Sequence, residues 1–105
     1  LDYSEKSRGG FLLDVGHLLI ASNYFDFDKD VFIEELLNNY HDRILEIHIS
    51  GNNGVKDLHS ILYEQDWQVQ ILKKLSYLDI PITLESRNIE INQIYEQISL
   101  IQSYI

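Results

Sequence analysis

The chain has 105 residues, with 17 Asp and Glu against 8 Lys and Arg, for a formal net charge of −9. A content of 45% apolar and 24% charged residues is that of one globular domain and excludes intrinsic disorder. The charge opposes a nucleic-acid partner, which requires a basic face, and the absence of cysteine excludes disulfide scaffolds, thiolate metal sites and thiol nucleophiles.

No apolar run approaches the ~20 residues that cross a bilayer, and no basic segment leads into an apolar one at the start. A cytoplasmic chain with no membrane partner is expected. The sequence contains no Met and begins at Leu1. It is therefore expected to be part of a longer protein, with ~150 further residues upstream if the whole is a barrel.

Residues 1–10 are polar, end in Gly9-Gly10 and read as a leading tail or loop; residues 11–105 read as the folded domain. Phe11–Val15 is a short apolar run closed by Gly16, as expected of a strand buried on both faces. Residues 16–28 read as a long connection with an apolar turn at Leu18–Ala21. Lys29–Tyr40 has helical spacing in Val31, Phe32, Leu36, Leu37 and Tyr40, with Asp28 placed to cap it. Ile44–Ile49 reads as a second strand, followed by the turn-rich Ser50-Gly51-Asn52-Asn53-Gly54 and an irregular stretch to residue 64. Asp66–Leu78 reads as a helix, Ile82–Glu85 as a third strand opened by Pro81, and Glu90–Tyr104 as a third helix.

Strand and helix thus alternate three times. Asp14, His48 and Glu85 recur at similar intervals, matching a β/α unit of ~30 residues or more. Alternation of this kind builds a parallel sheet. The expected fold class is α/β: either a small open sheet, or the C-terminal portion, about three β/α units, of a TIM-type (β/α)8 barrel.

The informative anomaly is polar side chains in apolar strands, because a buried charge is costly unless paired or metal-bound. Asp14, His48 and Glu85 all stand at C-terminal strand ends, the edge where parallel α/β folds carry their sites. Asp14-x-x-His17 and Asp57-x-His59 add further carboxylate–imidazole pairs. The candidate metal ligands are Asp14, His17, His48, Asp57, His59 and Glu85, a donor set suited to hard and borderline cations. Five of the six also have a plainer reading: Asp14 as a helix cap, His48 as a hydrogen-bonded core residue, Asp57 and His59 as loop residues, Glu85 as a partner of Arg87. Glu46 and Asp42 read as structural, His41 as a surface residue, and Trp67 as a packing residue. The run Tyr24–Asp28 is expected to cover a rim. There is no phosphate-binding Gly loop and no nucleophile elbow.

The D-x-x-H at 14–17, His48, the D-x-H at 57–59 and Glu85 together resemble the second half of the xylose isomerase-like TIM-barrel superfamily. Ile47-His48-Ile49-Ser50-Gly51 and Pro81–Asn88 are most similar to its multinuclear non-heme iron-dependent oxidative enzymes. Sugar isomerases and endonuclease IV usually have Asp where Gly51 stands. The chain departs from the oxidative group at His17, where Asn is frequent, and at Asn52, where that group has a further His. The resemblance implies that Asp14, His48 and Glu85 share one metal and that His17, Asp57 and His59 hold a neighbouring one. It implies two or three metal ions, iron first and zinc or manganese as alternatives, and oxidation of a residue of a ribosomally made peptide. Implied partners are the missing N-terminal barrel half or a second copy, the precursor peptide and a peptide-presenting protein. The alternatives are an endonuclease IV-like enzyme, a sugar isomerase or epimerase in which Glu85 is the catalytic carboxylate, and an incomplete fragment that pairs with a partner.

Overall fold

The computed structural model describes residues 9–105. The expected leading tail therefore lies outside the described residues except for Gly9 and Gly10.

Three strands, β1 (Phe11–Asp14), β2 (Ile44–Ile49) and β3 (Ile82–Leu84), form one sheet in the order β1-β2-β3. Both pairings are parallel. The connections carry α1 (Val15–Phe25) and α2 (Lys29–Tyr40) between β1 and β2, and α3 (Trp67–Gln70) and α4 (Leu72–Leu75) between β2 and β3. The helix α5 (Ile91–Gln102) follows β3. The expected α/β class with a parallel sheet is what the structure shows.

Leu13, Ile47 and Ile49 are buried in one cluster with Val15 and Leu18 of α1, Ile33 and Leu36 of α2, Val69, Leu72 and Leu75 of α3 and α4, and Ile101 of α5. The helices thus cover one face of the sheet. Strand alternation places Leu12, Asp14, Glu46, His48 and Thr83 on the opposite face. Leu12 and Thr83 there are exposed, and Asp14, Glu46 and His48 are half-buried. Where Phe11 pairs with Ile44 and Leu12 with Glu46, Leu45 is an extra residue in β2. This bulge lets Ile44 and Ile47 both be buried while Leu45 is exposed.

Two elements differ from expectation. Residues 15–25 are an α-helix rather than a connection, so β1 ends at Asp14. The Asp14 carboxylate accepts the His17 backbone N–H at 2.9 Å, an N-cap that starts the helix one residue before the glycine that resembled a strand stop. Asp26, in the left-handed region with φ 55°, ends it by donating its N–H to Ser22. The second difference is at residues 66–78, which form two four-residue helices and a 3-10 turn at Ser76–Leu78 in place of one continuous helix. The break falls at Ile71, where Lys74 N–H bonds back to the Ile71 carbonyl across three residues instead of four. Smaller shifts occur at β3, which ends at Leu84, and at α5, which begins at Ile91 with Glu90 and Gln93 forming a capping box. Asp28 caps α2 as expected, accepting from Asp30 and Val31.

A buried side chain ties α5 to the loop after β2. Gln97 accepts the Leu62 N–H at 2.6 Å and donates to the Leu62 carbonyl at 2.9 Å. Gln97→Leu leaves both buried backbone groups of Leu62 without a partner, at about 1–3 kcal/mol for each. The variant should show a lower urea midpoint with an unchanged m-value; an unchanged midpoint would contradict this role.

Candidate metal centre

Asp14 and His48 stand side by side in the β1–β2 register. Glu85 lies one residue past β3, but its N–H donates to the Ile49 carbonyl at 2.8 Å, so the ladder continues to it. Three neighbouring strand ends therefore bring a carboxylate, an imidazole and a carboxylate to one edge. One ligand atom each from Asp14, His48 and Glu85 lies within 4.8 Å of the others. Atoms bound to one ion at 2.0–2.2 Å sit at most ~4.4 Å apart, so small side-chain adjustments close this group on a cation.

His17, Asp57 and His59 make a second such group under the same 4.8 Å limit. His17 enters from the first turn of α1. Asp57 and His59 come from the loop after β2, and that loop is folded back by two backbone hydrogen bonds of 2.8 Å between Gly51 and Ser60. The approach is close enough that a Cβ at Gly51 would lie 2.2 Å from the Ile61 carbonyl oxygen, so a side chain at this position requires the backbone to move. Asn52 donates to the Gly16 carbonyl at 3.0 Å and Asn23 to the Gly54 carbonyl at 2.9 Å, pinning the turn to α1. His59 itself is buried and holds φ 51°, a left-handed backbone uncommon for a residue other than glycine. Its carbonyl accepts the Arg87 N–H at 2.7 Å, and Ser86 Oγ donates to the Ser60 carbonyl at 2.7 Å. The segment after β3 thus holds the loop in place.

Every ring nitrogen of the three site histidines faces an oxygen. His17 Nδ1 is 3.2 Å from Asp14 Oδ2, and its Nε2 is 2.9 Å from Asp57 Oδ2. His48 Nδ1 is 3.2 Å from Glu85 Oε1, and its Nε2 is 3.0 Å from Glu46 Oε1. His59 Nδ1 is 2.9 Å from the Glu85 carbonyl, and its Nε2 is 3.0 Å from Asp57 Oδ1. A neutral imidazole carries one N–H. Each ring must therefore aim an unprotonated nitrogen at an oxygen unless it takes up a second proton or a cation. The case is clearest at His59. A carbonyl oxygen only accepts, so Nδ1 carries the hydrogen, and a neutral ring turns the Nε2 lone pair toward a carboxylate.

All six candidate ligands therefore gather at one end of the sheet, in two adjoining groups linked by the Asp14–His17 contact. The cap and site readings of Asp14 are both realised: Oδ1 accepts from the His17 backbone and Oδ2 faces its ring. Glu46, read as structural, contacts His48. The signal was its i,i+2 spacing on the same strand face. His41 is exposed and its Nδ1–H donates to the Leu37 carbonyl at 3.1 Å. Trp67 packs against the core and donates its Nε1–H to Asp30 at 2.9 Å. Tyr24 and Phe25 are exposed, and with Ile20, Val55, His17 and Asp57 they line a shallow depression of about 350 Å³ beside the second group.

The Asp57 hydrogen bond, with the Asp14 and Glu85 charges, raises the His17 pKa above 6.5 against the opposing effect of burial. The His17 contact in turn lowers the Asp57 pKa below 3.8. A raised histidine stabilises the fold fully below 6.5 and loses this as pH rises through the folded value. A lowered carboxylate stabilises above 3.8 and loses this as pH falls through the folded value. In chelator, the melting-temperature difference between wild type and His17→Ala should therefore be largest between pH 3.8 and 6.5 and vanish in alkali. A difference that grows above pH 8 or so would contradict the pairing. Gly51→Ala should lower the melting temperature and loosen Asp57 and His59, read as faster amide exchange at 57–60; unaltered exchange there would refute the close approach. The chain matches no family model, no curated protein and no solved structure, so the reading of this centre rests on its own geometry.

Proposed function

We propose that this chain supplies six ligands of a multinuclear metal centre in a xylose isomerase-like barrel enzyme of the iron-dependent oxidative type. The observation that carries the reading is the shortage of hydrogens among the three histidine rings, each of which aims an unprotonated nitrogen at an oxygen when neutral. Two cations, one per group, relieve that shortage and neutralise the carboxylates at the same time. Asp14, His48 and Glu85 would hold one, and His17, Asp57 and His59 the other. Carboxylate and imidazole donors suit iron, zinc or manganese.

A bound transition metal with an open position supplies redox or Lewis-acid chemistry. The residues here do the rest. The Glu85 backbone carbonyl fixes the His59 tautomer, as is usual for a metal-binding histidine. Asp14 spans the two groups. Ile20, Tyr24, Phe25 and Val55 offer an apolar surface for the side chain of a peptide substrate beside the second group. Gly51 supports the oxidative branch over the isomerase and nuclease branches. The Asp usual there in those branches would bring a Cβ to 2.2 Å from the Ile61 oxygen in this backbone. The net charge of −9 likewise speaks against a nucleic-acid substrate.

In this reading the remaining strands come from a companion, either the other part of a longer chain or a second copy. Its support is the sheet itself. Among the described residues β1 and β3 each have one strand neighbour, and the polar face has no helix over it. A precursor peptide and a protein that presents it are the further partners the reading entails. Among the described residues no helix is long and apolar enough to cross a membrane.

Elemental analysis of the full-length protein, purified without oxygen, should find iron at two or more ions per barrel. His48→Ala should lower that ratio and abolish activity while leaving the far-UV circular dichroism nearly intact. Metal-free wild type, or normal stoichiometry in His48→Ala, would end the proposal.

A further inference from the structure

We infer that Glu46 is a positioning residue for His48: it holds the hydrogen on Nε2 so that the Nδ1 lone pair points at the cation shared with Asp14 and Glu85. The inference rests on the metal reading above and deepens it.

Glu46 and His48 project from the same face of β2, and Glu46 Oε1 lies 3.0 Å from His48 Nε2. The opposite nitrogen, Nδ1, lies 3.2 Å from Glu85 Oε1, inside the first group. One ring edge thus faces the metal ligands and the other faces Glu46. Glu46 is not among the atoms that group on a cation. Its neighbour across the β1–β2 pairing is Leu12, which offers no charge. Glutamate is unfavourable in strands, and the geometry gives this one a use: a carboxylate accepts, so it balances the pull of Glu85 on Nδ1 and takes the Nε2 hydrogen when Nδ1 turns its lone pair to the cation.

The same device appears at His59 with a different acceptor, where the Glu85 carbonyl takes the Nδ1 hydrogen and leaves Nε2 for its own group. Each ring is thereby set by an acceptor outside its group's donor atoms. Outer partners of this kind are worth about 10–100-fold in metal affinity.

The test uses the full-length protein, stripped with chelator and titrated with Zn²⁺ against a competing indicator. Glu46→Ala should weaken the site containing His48 by about 10–100-fold, with the His17–Asp57–His59 site little changed. Glu46→Gln, whose amide oxygen still accepts, should restore affinity to within ~3-fold of wild type on the same scale. In the metal-free protein, where Glu46 faces Nε2 and Glu85 faces Nδ1, ring ¹⁵N shifts of His48 should show the hydrogen moving from Nε2 toward Nδ1 in Glu46→Ala, and staying as in wild type in Glu46→Gln. The same tautomer and affinity in Glu46→Ala as in wild type overturn the inference and leave the metal reading standing. A loss in Glu46→Gln equal to that in Glu46→Ala overturns it in favour of Glu46 as a ligand. Failure of wild type to take up Zn²⁺ overturns the metal reading, and the inference with it.

Discussion

The parallel register of β1, β2 and β3 levels their C-terminal ends, and the candidate centre depends on that alignment. Asp14 is paired with His48, and the ladder runs one residue past β3 to bring Glu85 alongside. A one-residue slip in either pairing would send a ligand to the opposite face, into the apolar cluster under the helices. That cluster therefore guards the register. Leu13, Ile47 and Ile49 are buried, and their alternation with Asp14, Glu46 and His48 makes the slip expensive for packing before it is expensive for chemistry.

The second group depends on a different constraint, the return of the loop after β2. Four backbone and side-chain ties hold it: the Gly51–Ser60 bridge, Asn52 on Gly16, Ser86 on Ser60, and Gln97 on Leu62. Three of them reach from α1, the segment after β3, and α5, and the bridge closes the loop on itself. A loop would ordinarily be the mobile part of a small α/β domain. Here it is anchored to two helices and to the segment after β3, and Asp57 and His59 inherit that rigidity.

The strands were legible because short apolar runs bounded by turn residues leave few other readings, and the ligand candidates because charged residues in such runs need a reason. Helix α1 was not legible: its buried residues are Val15, Gly16, Leu18 and Ser22, too few large apolar side chains to mark a face. Asp14 drew attention as a ligand and as a cap, and one carboxylate with two oxygens serves both. The role of Glu46 is not legible locally, because an i,i+2 carboxylate matters only when the other edge of His48 faces Glu85. The close approach at Gly51 joins residues distant in the chain only through the loop's path, which no local pattern carries. The barrel belongs to the proposal; the parallel three-stranded sheet is what the described residues form.

His59 keeps a left-handed backbone that glycine or asparagine adopts at lower cost. Two things oppose a change to either residue: the ring fills a buried site and gives its Nδ1–H to the Glu85 carbonyl, and the candidate centre uses its other nitrogen. The strained backbone and the buried ring are thus one arrangement: the left-handed turn at position 59 is what carries the imidazole back toward Glu85 and Asp57.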